Sequence, residues 1–209
     1  MSDLPVTLPD PLARQLAAAF DVEGKIPRAL DALGPLSGRD VAFVDGEPGR
    51  FAERLAELGA RVRSVDWSDT GGHGKAAPWA DALVACWSAF RGVDAGEMAE
   101  AARIVRPGGR LLVVHDYGRD DVSQLRRGGE ERPEYGLWSR RDGPFLANGF
   151  KVRVVHCWWT FESIEGAQTF LGEAFGDPGR TFGAALKRPR LSYNVAIYHR
   201  TLGGAPARV

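Results

Sequence analysis

The segment VAFVDGEPGRFAERLAELGARVRSVD, residues 41–66, decides the fold because it reads as a strand, a helix and a second strand. Residues 41–44 form a continuous apolar run, which is typical of a strand buried on both faces. Phe51, Leu55 and Leu58 share one helical stripe, and Gly59 follows at the position of a C-terminal cap. Residues 61–66 predict a strand that ends in an acid. The whole unit has the size of a right-handed crossover between parallel strands.

The same alternation continues outward from this segment. Further strands are predicted at residues 82–87, 111–115, 152–159 and 192–199. Helices are predicted at residues 12–20, 26–33, 94–105, 164–175 and 181–186, with an interrupted helix at 138–148 and a charged excursion at 119–141. Alternating strands and helices predict a mostly parallel sheet covered on both faces, in which ligands bind at the carboxyl ends of the strands.

The pattern divides the chain into three parts. Residues 1–37 are predicted to be a helical N-terminal extension, 38–201 the α/β domain and 202–209 a flexible tail.

Composition limits the classes of function. The formal net charge of the 209 residues is zero, so nothing draws the whole chain toward nucleic acid or an anionic membrane. No apolar run approaches the roughly 20 residues that span a bilayer, and the first ten residues lack the basic start of a secretory signal. Cys86 and Cys157 lie in apolar runs and are predicted to be reduced core residues. A soluble cytoplasmic protein is therefore expected, and the wealth of Ala, Arg and Gly suggests a bacterium with a GC-rich genome.

At this point the sequence resembles a known family. Residues 41–66 and the segment RIVRPGGRLLV, residues 103–113, look like parts of the class I S-adenosylmethionine (SAM) methyltransferases. The resemblance in order and spacing covers residues 38–199. It implies a Rossmann-like doubly wound sheet, mostly parallel, with a C-terminal antiparallel strand pair and helices on both faces. It also implies SAM as the cofactor.

The family's glycine-rich loop is carried over only in part. Phe43 stands where the family has an acid, Asp45 and Glu47 stand at two of its glycines, and only Gly49 remains. Asp66, which closes the second strand, matches the family carboxylate that holds the ribose hydroxyls. The predicted cofactor contacts are Asp45, Gly46, Glu47, Gly49, Asp66, Trp67 and Trp87.

Two departures from the family bear on function. Only fifteen residues separate Asp66 from Ala82, where the family fits a helix and a strand whose end contacts adenine. Residues 86–90 read CWSAF in place of the Asn-Pro-Pro-Tyr motif of members that methylate amines. The predicted acceptor is therefore a small molecule and not a nucleic-acid base or a side-chain amide.

The chemistry of the loop agrees with a cationic ligand. Asp45 and Glu47 place negative charge where a helix N-terminus would otherwise bind phosphate, which disfavours NAD, FAD and ATP more than the sulfonium of SAM. The alternative is that both acids only cap the helix. Asp66 likewise has the alternative role of capping the turn after its strand.

His115 and Tyr117, at the end of the fourth strand, are the predicted catalytic residues. A His beside an acid can act as a general base near neutral pH. Strand neighbours point to opposite faces, however, so His115 and Asp116 need not form a pair. Tyr117 and Trp87 are alternatively predicted to form walls of a ligand pocket.

The remaining candidates are weighed in the same way. Cys86, His156, Cys157 and His199 have no metal-binding spacing, so no metal site is predicted. Core is the favoured interpretation of Trp158, Trp159 and Phe161, with a substrate wall or a homodimer face as alternatives.

The basic cluster at residues 187–190 is interpreted as a solvated turn, with nucleic-acid binding as the weaker alternative. The hypotheses for the whole chain are a methyltransferase acting on a small molecule and a methyltransferase-like binding or assembly module that has lost SAM. A nucleotide-sugar or NAD enzyme is a third, weaker hypothesis.

Overall fold

A computed structural model describes residues 4–44, 50–67, 77–126 and 134–203. The strands are β1 (Asp40–Val44), β2 (Arg61–Val65), β3 (Ala80–Cys86), β4 (Val105–Asp116), β5 (Lys151–Thr160) and β6 (Arg190–Thr201). The helices are α1 (Asp10–Ala19), α2 (Lys25–Leu33), α3 (Arg50–Glu57), α4 (Ala95–Ile104), α5 (Asp121–Arg126), α6 (Glu134–Trp138), α7 (Pro144–Ala147) and α8 (Ile164–Ala184).

The six strands form one sheet in the order β2-β1-β3-β4-β6-β5. Strands β1 to β4 pair in parallel, whereas β6 is antiparallel to both β4 and β5. The predicted fold, including the C-terminal antiparallel pair, is therefore confirmed. Because β5 runs in the same direction as β4, its carboxyl end lies at the edge of the sheet where β1 to β4 also end.

Two apolar layers cover the sheet, as the alternation of β1 requires. Val41 and Phe43 face one core with α1, α2, α3, α5 and α8. Ala42 and Val44 face the other core with α4, α6 and α7. The N-terminal helices thus share the main core of the α/β unit. In the described ranges, no helix combines the length and the apolar composition needed to cross a bilayer.

Several boundaries differ from the sequence-based expectation. The two helices predicted at 164–175 and 181–186 form one element, α8, which is kinked at Gly176 (φ 62°, ψ −138°) and carries Pro178 just beyond. The predicted helix at 138–148 is wrong over its middle, because α6 ends at Trp138 and α7 begins only at Pro144. Leu202, predicted as the start of the tail, is buried and its amide donates to the carbonyl of Gly109 at 2.9 Å.

Strand β2, which precedes the shortened segment after Asp66, is an outer strand of the sheet. Among the described residues no strand lies between β2 and β3 along the chain, and β2 pairs only with β1. Residues 68–76 lie outside the described ranges.

Candidate functional site

Asp66 and Trp67 follow β2 at the carboxyl edge of the sheet. Asp66 is exposed, whereas Trp67 is half-buried with its ring centroid 5.2 Å from that of Phe90. The indole Nε1 of Trp67 donates to Glu97 Oε1 at 3.3 Å. The structure thus brings a carboxylate and a partly accessible aromatic ring to the edge where a nucleoside is expected to bind.

Glu97 fixes this ring to the turn that follows β3. Its Oε1 also accepts from the amide of Phe90 at 2.8 Å, so one carboxylate oxygen joins two strand ends. The pattern Asp94-x-x-Glu97 in the sequence predicts a capping box, and Asp94 does cap α4 through the amides of Gly96 and Glu97. The reciprocal half of the predicted capping box is wrong, because the Glu97 carboxylate turns away to Phe90 and Trp67.

The turn at 87–90 has an unusual backbone. Trp87 and Phe90 both adopt φ 57°, a left-handed conformation that costs a bulky residue about 1–3 kcal/mol. Hydrogen bonds hold both ends of the turn. The Trp87 amide donates to Val114 O at 3.0 Å, and His115 Nε2 donates to Phe90 O at 2.9 Å.

His115 lies in the core and not in a cleft. Its ring is 1% exposed, with its centroid 4.7 Å from that of Trp138 and 6.2 Å from that of Phe145. Burial is the main cause that lowers the pKa of His115 to about 4, so the ring is neutral near pH 7. A neutral, buried His115 can hold the Phe90 carbonyl in place by its hydrogen bond. The arrangement offers no evidence for the predicted role as a general base.

Asp116 faces the opposite side of β4 and centres a buried polar cluster. It accepts hydrogen bonds from Trp87 Nε1 at 2.8 Å, from Arg126 Nη1 at 2.5 Å and from the hydroxyl of Tyr193. Burial, followed by the adjacent Asp116 carboxylate, raises the pKa of Tyr193 well above its ordinary value, which keeps the phenol protonated as a donor. The expectation that His115 and Asp116 point to opposite faces is therefore confirmed.

The N-terminal segment covers this cluster. The ring of Phe20 lies 5.6 Å from Trp87, 5.7 Å from Phe51 and 5.3 Å from Tyr193, measured between centroids. Trp87 is consequently only 6% exposed, which leaves little of its ring for the predicted cofactor contact while this arrangement holds.

Arginines from two helices hold the covering segment in place. Arg50 and Arg54 of α3 donate to the carbonyls of Phe20 and Asp21 at 2.8 and 2.6 Å. Arg126 Nη2 donates to the carbonyl of Pro5 at 3.0 Å. The helix that follows the predicted cofactor loop is thus bound directly to the N-terminal segment.

Tyr117 remains partly accessible at the end of β4. Its amide donates to Asn194 O at 2.9 Å, and the Arg119 guanidinium lies 5.7 Å from its ring centroid. Asp45, Gly46, Glu47 and Gly49 lie outside the described residues, so their predicted contacts stay predictions.

Sequence reasoning missed the residues that close the site. Phe20 and Tyr193 lie at the ends of β3 and β4 although they are far from them in the sequence, and Arg126 reaches Asp116 from ten positions further along the chain. The capping-box pattern assigns Glu97 to the helix alone and does not indicate its bond to Phe90. No short-range pattern marks such partners. The one available signal was an isolated acid, Asp116, in a strand whose burial requires a partner.

Solved structures of methyltransferases share this architecture. A candidate type II methyltransferase from Anaeromyxobacter dehalogenans is 18% identical with a TM-score of 0.51, covering 84% of this chain and 94% of that one. A SAM-dependent methyltransferase from Thiobacillus denitrificans, solved with S-adenosyl-L-homocysteine, is 16% identical with a TM-score of 0.46, covering 92% and 99%. No protein-family model and no curated protein matches the sequence. The chain has the fold of the class I SAM-dependent methyltransferases.

Proposed function

We propose that this chain binds SAM and transfers its methyl group to a small-molecule acceptor, in the cytoplasm of a bacterium. The observation that carries the proposal is the pairing of exposed Asp66 with the half-buried indole of Trp67 at the end of β2. A carboxylate suits the ribose hydroxyls, and an anchored indole suits stacking against adenine.

The residues of this edge fit the cofactor in chemistry. SAM supplies an electrophilic methyl group on a cationic sulfonium. Asp66 holds the ribose, and Trp67 is kept in place by Glu97 through the indole N–H. Transfer between two bound reactants needs positioning and exclusion of water more than a set of proton-transfer groups. Partly accessible Tyr117 then contacts the acceptor, and buried His115 supports the turn after β3 through the Phe90 carbonyl.

A second candidate function is a binding or assembly module without catalysis. It is favoured by the aromatic cluster of Phe20, Phe51, Trp87 and Tyr193, which fills the space beside the ends of β3 and β4. A chain that no longer uses this space for an acceptor gains stability by closing it.

Thermal unfolding with SAM and with S-adenosylhomocysteine distinguishes the two functions. Ligand at 100 times its dissociation constant stabilises by about 2.7 kcal/mol, or roughly 5–11 °C for a chain of this size. We expect this rise in the unchanged protein and its loss in Asp66→Ala. The control Glu162→Ala removes an exposed carboxylate beyond β5 and should keep the full rise.

No shift with millimolar ligand would favour the second function. An equal shift in Asp66→Ala would show that SAM binds without the carboxylate at the end of β2, and it would contradict the proposed site. If the unchanged protein and Glu162→Ala show the shift and Asp66→Ala does not, small acceptors should then be screened. The screen measures the release of S-adenosylhomocysteine.

A further inference from the structure

A second cleft opens at the carboxyl edge of the sheet, beside β5 and the end of α8. Its volume is about 340 Å³, at the lower end of the range for small-molecule sites. Half-buried Trp158, Phe182 and Leu186 provide an apolar wall, and Lys187, Arg188 and Arg190 provide three cations.

This cleft is separate from the site at β2. Strand β5 lies at the other side of the sheet, five strand spacings from β2, or about 24 Å at 4.8 Å for each spacing. Of the residues predicted to bind the cofactor or to act in catalysis, those that the structure describes do not line it: Asp66, Trp67, Trp87, His115 and Tyr117.

The cations of the cleft carry unbalanced charge. Within the described part of the chain, Lys187, Arg188 and Arg190 make no salt bridge. Among the described residues of the lining, the one acid is Asp121, whose Oδ2 already accepts from the amide of Ser192 at 2.8 Å.

Neighbouring negative charge does not cancel this excess. Glu23 forms its salt bridge with Lys25 at 2.6 Å. Lys25 is the main cause that lowers the pKa of Glu23, and the charge of Arg190 contributes less. The C-terminus of α8 contributes the equivalent of about half a negative charge, which one cation suffices to offset. The helix end therefore does not account for three cations in one turn.

The cationic turn is ordered before any ligand arrives. The Arg190 guanidinium lies 4.3 Å from the ring centroid of Trp158, in cation–π contact. The Arg190 amide donates to Arg188 O at 2.8 Å, and the carbonyl of Pro189 accepts from Phe161 N at 2.7 Å. A stacked guanidinium can still donate two hydrogen bonds to an oxyanion from its N–H edge. Because the turn is already ordered, binding costs little further conformational entropy.

We propose that this cleft binds a small organic anion: a phosphate or carboxylate group held by Lys187, Arg188 and Arg190, with an apolar body against Trp158. An inorganic anion would leave the indole and Phe182 without contact. A nucleic acid would need cations beyond a single turn, and Glu23 and Asp121 flank this one. The proposal does not depend on methyl transfer.

Calorimetric titration with phenyl phosphate and with benzoate tests the proposal on the full chain. We expect both to bind, and phenol and inorganic phosphate each to bind at least about tenfold more weakly, since either half of the recognition is then lost. The relative affinities of phenyl phosphate and benzoate distinguish a phosphate site from a carboxylate site.

A matched pair of charge variants locates the binding. Lys187→Gln with Arg188→Gln should weaken both probes about tenfold, as expected for lost charge-assisted hydrogen bonds. Lys151→Gln with Arg153→Gln removes the same charge from exposed positions of β5 outside the cleft and should leave affinity unchanged.

Four results would overturn the proposal. The first is no binding of phenyl phosphate or of benzoate at about 10 mM, which corresponds to a binding free energy weaker than about −4.1 kcal/mol. The second is equal weakening by the two charge variants, and the third is phenol binding as tightly as phenyl phosphate. The fourth is displacement of phenyl phosphate by a micromolar single-stranded oligonucleotide, which would assign the cations to nucleic acid.

Discussion

The ion pairs at the two edges of the sheet differ in how far they are exposed to water. At the carboxyl edge, Asp116 and Arg126 are joined at 2.5 Å with only 5% and 14% of their side chains exposed. At the amino edge, Arg61 and Asp40 are joined at 2.8 Å with 62% and 30% exposed. The distances are similar, but water surrounds only one of the pairs.

The comparison shows that surroundings, more than geometry, set the energy of an ion pair. Asp116 has replaced water by three protein donors, so removing any partner leaves a buried group without compensation. Asp40 keeps its hydration, and the hydrogen bond from Arg61 that chiefly lowers the pKa of this carboxyl acts in high dielectric.

The largest effect is expected from Asp116→Ala. The change leaves the Arg126 guanidinium buried without its carboxylate, and the free energy of unfolding should fall by about 3–5 kcal/mol. Urea denaturation followed by circular dichroism at pH 7 measures this loss. The double variant Asp116→Leu with Arg126→Met should recover part of it, because it removes both charges together.

Exposed ion pairs contribute below about 1 kcal/mol to the free energy of unfolding. A loss of that size in Asp116→Ala would contradict the distinction between the two edges.

Protonation of His115 should produce the next largest effect. Above pH 6.5 the ring is neutral in both the folded and the unfolded protein, so it adds no pH dependence. Below pH 6.5 the unfolded chain takes up a proton, whereas the folded protein stays neutral until about pH 4. The free energy of unfolding should therefore fall as the pH falls through this window, by at most about 3.4 kcal/mol at 1.36 kcal/mol for each pH unit.

His115→Gln isolates this contribution from that of the carboxylates. Its amide can still donate to Phe90 O but does not titrate. The difference in unfolding free energy between the unchanged protein and this variant should change steadily between pH 6.5 and 4. His156→Gln, on the exposed side of β5, is the control. A difference that is constant with pH would show that His115 is accessible to protons in the folded state.

Sequence predicts the sheet well because its signals are local. The apolar runs of β1 and β3 and the stripe of α3 each require burial by themselves, and right-handed crossovers limit how parallel strands can be connected. The site is harder to predict because its parts meet only through the fold. Asp116 finds Tyr193 seventy-seven positions away, and no local pattern connects them.

The interpretation of His115 is difficult for the same reason. A His beside an acid at a strand end indicates chemistry, but the strand sends the two side chains into different cores. The ring of His115 is shielded from water by Trp138 and Phe145, which lie in separate helices. Trp159, by contrast, was predicted as core and is fully buried.

The smallest effect is expected from Arg106→Gln at the amino edge. Arg106 Nη1 donates to Asp81 Oδ1 at 2.8 Å, but the Arg106 side chain is 45% exposed, so water replaces the lost partner. The urea midpoint should match that of the unchanged protein within replicate scatter, in low and in high salt. Asp81 keeps the amide of Asp40 as a donor at 3.0 Å, which further limits the effect. A loss comparable to that of Asp116→Ala would mean that the exposed pairs also hold the sheet together, and burial would then no longer explain why the two edges differ.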